Sequence, residues 1–246
     1  MRRSLTHYAV SVLLGTFLAI APIQAASSVE TEEGLNAYSD GNFEKAYDHF
    51  VKAASAGDPK AQFYIGNMLF GGQGTDRDLS LAARYYELAA LQGHSEAQVA
   101  LATMYRSGAG VQRDYYKVLY WLEEAAMDGH PIAQLDLGHI SETGDNGATE
   151  PNIDYAFRWY EMAARNGVVR AQAKLGQLYL GNSETPDEQA LGYAWLTIAE
   201  GNAATEHRED IVAVREEWRG RVEETVLENA SKAAANLQEE LAAGSN

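Results

Sequence analysis

The pattern that runs from Ala97 to Gly129 is written several times along this chain, and its period leaves few folds open. Ala-Gln pairs stand at Ala61-Gln62, Ala97-Gln98, Ala133-Gln134 and Ala171-Gln172, and single glycines at Gly57, Gly93, Gly129 and Gly167. Both series advance by 36, 36 and 38 residues. A large aromatic keeps nearly the same step at Tyr85, Trp121, Trp159 and Trp195, with intervals of 36, 38 and 36. Independent markers moving together identify a repeat array, and this period belongs to stacked helical hairpins, each of which buries its apolar face only against its neighbours.

Each unit reads physically as helix, loop, helix and stop. In the second, helix A covers residues 61–70, with Ile65, Met68 and Leu69 on one helical face. Gly66, Gly138 and Gly176 fall inside helix A, where glycine costs about 1 kcal/mol against alanine. A cost repeated at one register implies close approach by helix B or by the next unit. Gly71 to Gly74 and Gly108-Ala109-Gly110 supply the loop, and Asp78, Asp114 and Asn152 stand one residue before the next apolar run, as N-caps. Helix B follows with Ala82, Tyr85, Tyr86, Ala89 and Ala90, matched by Val118, Trp121, Leu122, Ala125 and Ala126. Gly93, Gly129 and Gly167 are placed to end it.

Taken together, Ala-Gln-x-x-Leu-x-x-Met-Tyr, a Gly-x-Gly-Val loop and Trp-Leu-x-x-Ala-Ala-x-x-Gly resemble the SEL-one-like repeat (SLR), a relative of the tetratricopeptide repeat. The resemblance covers about residues 30–205 and implies an all-α, right-handed solenoid of stacked hairpins. The units fall at about 30–57, 58–93, 94–129, 130–167 and 168–204 of an array spanning 29–204. The first has only Asp40-Gly41-Asn42 between its helices, and the fourth carries two extra residues in its loop. In the fifth, Gly201 arrives early.

The two ends lie outside the repeat. Met1-Arg2-Arg3, an apolar run from Ala9 to Ala21, Pro22 and Ala25-Ala26 have the layout of a secretory signal peptide over residues 1–25. The expectation is therefore a protein exported to the periplasm, without stable membrane insertion after cleavage. Residues 205–246 are charged and helical, with Ile211, Val214, Trp218, Val222, Val226, Ala230, Ala233 and Leu237 forming an apolar stripe that Gly220 can divide. Covering the exposed end of the last repeat is the expected role of this C-terminal cap, and binding a partner is the alternative. Ala242 to Asn246 forms the tail.

Composition narrows the function. Asp and Glu total 35 against 19 Lys and Arg, a net charge of −16 that becomes −18 without residues 1–25. Such a surface repels phosphate backbones and anionic lipid, which argues against nucleic acid as a partner. With no cysteine, disulfides, thiolate nucleophiles and thiolate-bound metals are excluded, and the cysteine-stapled part of the resembled family, some of which is linked to penicillin binding or hydrolysis, is a poor model for this chain. No nucleophile elbow, paired-histidine zinc helix or phosphate loop is present. His94 and His130 share a register after the glycine stop but lack further converging ligands, so they read as turn residues rather than a metal site. Asp145-Asn146-Gly147 lacks the spacing of a calcium loop and reads as a surface turn. No cofactor, metal or catalytic residue is expected.

By analogy with tetratricopeptide arrays, partners bind to helix A positions that the core does not need. Phe63, Asn67 and Phe70, then Thr103 and Arg106, then His139 and Glu142, then Gln177 and Leu180 vary between units while the framework repeats. The expected function is that of a monomeric, non-catalytic adaptor gripping a protein or peptide in a concave groove. The resemblance adds envelope assembly, signalling or exopolysaccharide regulation as its settings. An enzyme acting on the cell wall or on β-lactams, and a structural subunit of an envelope complex, are the competing classes.

Overall fold

A computed structural model describes residues 27–145, 148–183 and 185–244. The signal-peptide segment 1–25, Asn146-Gly147 and the last two residues of the tail lie outside them. The described residues are helices and short connections with no strand. The chain divides into two compact units, residues 1–128 and 129–246.

The first unit contains three hairpins: α1 (27–39) with α2 (Phe43–Ser55), α3 (Pro59–Gly71) with α4 (Leu79–Ala90), and α5 (Ser95–Ser107) with α6 (Tyr115–Met127). The second holds α7 (Pro131–Thr143) with α8 (Ile153–Arg165) and α9 (Val169–Asn182) with α10 (Pro186–Asn202). Two further helices follow, α11 (Thr205–Arg219) and α12 (Glu224–Gly244).

The mid-helix glycines answer to helix B of their own hairpin. A Cβ on Gly66 would lie 2.6 Å from the Tyr86 ring, and one on Gly34 2.6 Å from Phe50. A Cβ on Gly138 would lie 2.5 Å from Tyr160. In the α5/α6 hairpin the same register holds Ala102 and Leu122, a larger residue facing a smaller one. These four crossings thus combine a ring with no side chain, or a methyl with an isobutyl group, at similar summed volume, whereas in the α9/α10 hairpin a Cβ on Gly176 would meet Leu196 and the Gly192 carbonyl, each at 2.8 Å. In the α3/α4 and α7/α8 hairpins the buried aromatics are accordingly Tyr86 and Tyr160, 3% and 0% exposed, one place beyond the Tyr85 and Trp159 markers, which are only half-buried, whereas the Trp121 and Trp195 markers are themselves buried. Their hydroxyls reach partners on helix A: Tyr86 donates to Asn67 Oδ1 at 2.7 Å and Tyr160 to Glu142 Oε2 at 2.7 Å.

Asp78, Asp114 and Asn152 each accept a backbone N–H of the first turn of helix B, as their position before the apolar run predicts. At the far end of helix B, Gly93 adopts φ +82° and Gly167 φ +80°, the left-handed region that glycine enters at little cost. Gly93 N–H bonds to Ala90 O at 3.0 Å and His94 N–H to Ala89 O at 3.1 Å. Gly167 and Val168 repeat the pair onto Ala164 and Ala163 at 3.1 and 3.0 Å. This is the Schellman arrangement, and its last residue is also the N-cap residue of the next helix A. His94 and His130 fill that place with Nδ1, which accepts from Ala97 N and Ala133 N at 3.4 and 3.3 Å.

The glutamine of each Ala-Gln pair is buried, and it ties helices together. Gln172 Nε2 donates to Ala164 O at 3.1 Å at the end of α8, and its Oε1 accepts from Asn202 Nδ2 at 3.2 Å at the end of α10. Gln62 accepts from Gln92 at 2.8 Å and Gln134 from Asn166 at 2.9 Å. A buried amide satisfied in this way fixes where a helix B ends against helix A.

The C-terminal stripe is split at Gly220, as its sequence allows. Val226, Ala230, Ala234 and Leu237 of α12 are buried. Ala234 and Leu237 join a cluster with Tyr160, Leu175 and Trp195, so α12 covers apolar surface left by α8, α9 and α10. Ile211 of α11 instead packs with Ala199 and Ala203, beside Val169 and Ala173.

Candidate functional site

The helix A residues expected to face a partner differ in exposure and in the contacts they make. In the first unit Phe63 is half-buried and stacks on the His94 ring, centroids 4.7 Å apart. Asn67 is engaged by Tyr86. Phe70 is 41% exposed, with the Arg77 guanidinium 6.0 Å from its ring. Thr103 and Arg106 are exposed, and Thr103 Oγ1 donates to Val99 O of its own helix at 2.9 Å. In the second unit His139 is exposed and Glu142 is taken up by Tyr160 and by Lys174 Nζ at 3.0 Å. Leu180 is only 3% exposed: its Cγ lies 3.0 Å from where a Cβ on Gly192 would be, so it packs into the α9/α10 crossing rather than facing solvent. Gln177 lines a cleft.

That cleft, about 530 Å³, lies in the second unit. Its apolar floor comes from Ile132 and Leu135 of α7, Val169 and Ala173 of α9, Leu196 of α10, and Ile211 and Val214 of α11. Arg170, Lys174, Gln177, His207 and Asp210 bring polar groups to it. Ile132, Leu135, Arg170, Ala173 and Lys174 recur at three- and four-residue steps, one face of helix A, a stripe earlier than the expected one. The missing wall, α11, belongs to no repeat. It is set in place by Arg208, whose Nη2 donates to Ala203 O at 3.1 Å, by Ile211, and by the ion pair of Arg215 with Glu200.

Lys174 is held by the Glu142 carboxylate, which also accepts from Tyr160. Burial first, and then the Glu142 carboxylate, push the Tyr160 phenol far above its usual range. Tyr160 therefore remains a donor at any physiological pH and orients Glu142 toward Lys174. Arg170 is exposed beside this network. The arrangement offers an apolar floor edged by Arg170, by Lys174 already paired with Glu142, and by Asp210, suited to holding an apolar side chain with mixed polar groups beside it.

Five segments of the chain match the Sel1 repeat family model: residues 31–58, 59–94, 95–130, 131–168 and 169–199. The structure is similar to that of a Sel1 repeat protein from Oxalobacter formigenes, with TM-score 0.64 and 26% identity over 71% of each chain. It is also similar to a protective antigen present in uropathogenic Escherichia coli strains that displays an SLR fold, with TM-score 0.65 and 27% identity. That match covers 89% of this chain and 46% of the antigen, so this chain spans just under half the antigen's length. No curated protein matches the sequence.

Proposed function

This chain belongs to the Sel1 repeat family, whose members generally mediate protein–protein interaction, and from that premise we propose that it is a non-catalytic binding module of the periplasm. Its partner is a peptide segment or helix of another protein, seated in the cleft between α7, α9 and α11. The observation that carries this reading is the cleft itself: an apolar floor with Arg170, the Glu142-paired Lys174 and Asp210 at its edge. Repeat scaffolds of this kind are typically without catalysis. The signal-peptide layout of residues 1–25 supports export. No described helix is long and apolar enough to cross a membrane.

Binding would work by preorganisation. The cleft wall is ordered before the partner arrives, so the entropy cost of association falls mainly on the incoming segment. Site-specific photo-crosslinking in the periplasm tests the reading. A crosslinker at Gln177 should trap a discrete protein adduct, and one at Tyr116, which is 87% exposed on α6, should not. Equal adducts from both positions, or none from Gln177, would overturn it.

A further inference from the structure

We propose that Glu30, Glu33 and His49 form a divalent-cation site, of the zinc class, that fastens the first hairpin. Glu30 and Glu33 are one turn apart on α1 and so share a face, and His49 comes from α2. The crossing that brings them together is the one where Gly34 admits the Phe50 ring, next in sequence to Glu33 and His49 respectively. The three ligand atoms lie within 4.8 Å of one another. His49 Nδ1 is 2.6 Å from Glu30 Oε2 and 3.3 Å from Glu33 Oε2.

Those separations suit a small cation. With zinc about 2.0–2.2 Å from nitrogen and carboxylate oxygen, tetrahedral ligands stand roughly 3.4 Å apart. Glu33 is already at that distance from His49, and Glu30, now 2.6 Å from His49, would give up that direct contact to make room for the ion. The imidazole side chain is only 12% exposed, held between the helices, so little of its freedom remains to be lost on binding. Glu33, at 57% exposure, gives the ion an open approach and leaves its fourth position to water. Lys52 Nζ, 3.5 Å from Glu30 Oε2, is the competing charge, and at 59% exposure it can swing away. No sequence motif announces such a site, because its ligands come from two helices and only a crossing aligns them.

The test is zinc titration of the metal-free full chain by calorimetry, beside thermal unfolding with and without zinc. One zinc per chain and a rise in Tm are expected. Affinity should fall more than about tenfold in both Glu33→Gln and His49→Gln. Glu33→Gln should unfold at the wild-type temperature when zinc is absent, showing that its loss of binding is not loss of fold. Absence of saturable binding, or unchanged binding in both variants, would overturn the proposal and leave the triad as a His–Glu ion pair.

Discussion

Gln98 has its side-chain Oε1 buried with no hydrogen-bond partner, and Asp128 stands at the register from which a partner would be donated. Gln92, Asn166 and Asn202 occupy that register in other hairpins and donate to Gln62, Gln134 and Gln172. An ionised aspartate has no proton to give. Gln98 keeps only its other bond, Nε2 to Ala90 O at 3.2 Å. Asp128→Asn should therefore stabilise the protein by about 1 kcal/mol through the new bond, with a further few tenths from removing an acid at a helix C-terminus. Asp128→Ala removes the acid without supplying a donor and should recover only the smaller part. Comparing the two by urea unfolding separates the hydrogen bond from the charge.

Gly138→Ala should destabilise although alanine is the better helix former. The new methyl would lie 2.5 Å from the Tyr160 ring, an overlap worth about 1–3 kcal/mol. Combining it with Tyr160→Leu copies the Ala102 and Leu122 arrangement of the α5/α6 hairpin. The double variant should lose clearly less than the sum of the two single losses. A thermodynamic cycle measured by denaturant unfolding checks this, and strict additivity would show that the two residues do not share one space.

His94 makes stability depend on pH. Burial lowers its pKa from the ordinary 6.5, against the smaller opposing pull of Glu96, and its neutral Nδ1 caps α5. Protonation thus favours the unfolded chain. The stabilisation is complete above about pH 6.5 and is lost as pH falls below it. His94→Asn retains a capping acceptor that does not titrate. Stability profiles of the two proteins should run parallel above pH 7 and converge or cross on acidification.

In the cleft, Ala173→Phe should fill the floor and abolish the Gln177 crosslink while leaving helical content unchanged by circular dichroism. Phe70→Ala, a change in the other unit, should leave that crosslink intact. Arg170→Glu should weaken it if the captured segment carries a carboxylate.

The repeat was legible because its markers are framework residues whose spacing the hairpin geometry enforces. Asp78 and Asp114 could be read as caps from one position alone, and Gly66 and Gly138 as close approaches from their cost. The surface was harder. Leu180 looks like the counterpart of Phe70 and Arg106, yet the glycine at 192 opens a space that draws it into the α9/α10 crossing. A pattern along one helix does not show a vacancy on its neighbour. The cleft was further out of reach, since its outer wall is α11 and no alignment of repeats with one another includes that helix. Nothing in the spacing of Tyr86 and Tyr160 shows that they, and not Tyr85 and Trp159 beside them, are the buried members of each pair.

The shared residue between hairpins has a consequence for how such a chain can change over generations. His94 and Val168 each complete the end of one helix and open the next, so there is no spare residue at those joints to lengthen or delete. An insertion there would cost a stop and a start together. Length can vary only in the loops inside a hairpin, where the stretch from Gly144 to Pro151 already carries its two additional residues. Whole hairpins can be duplicated or lost as units, and new binding surfaces can be tried in the loops, while the joints keep the array in phase.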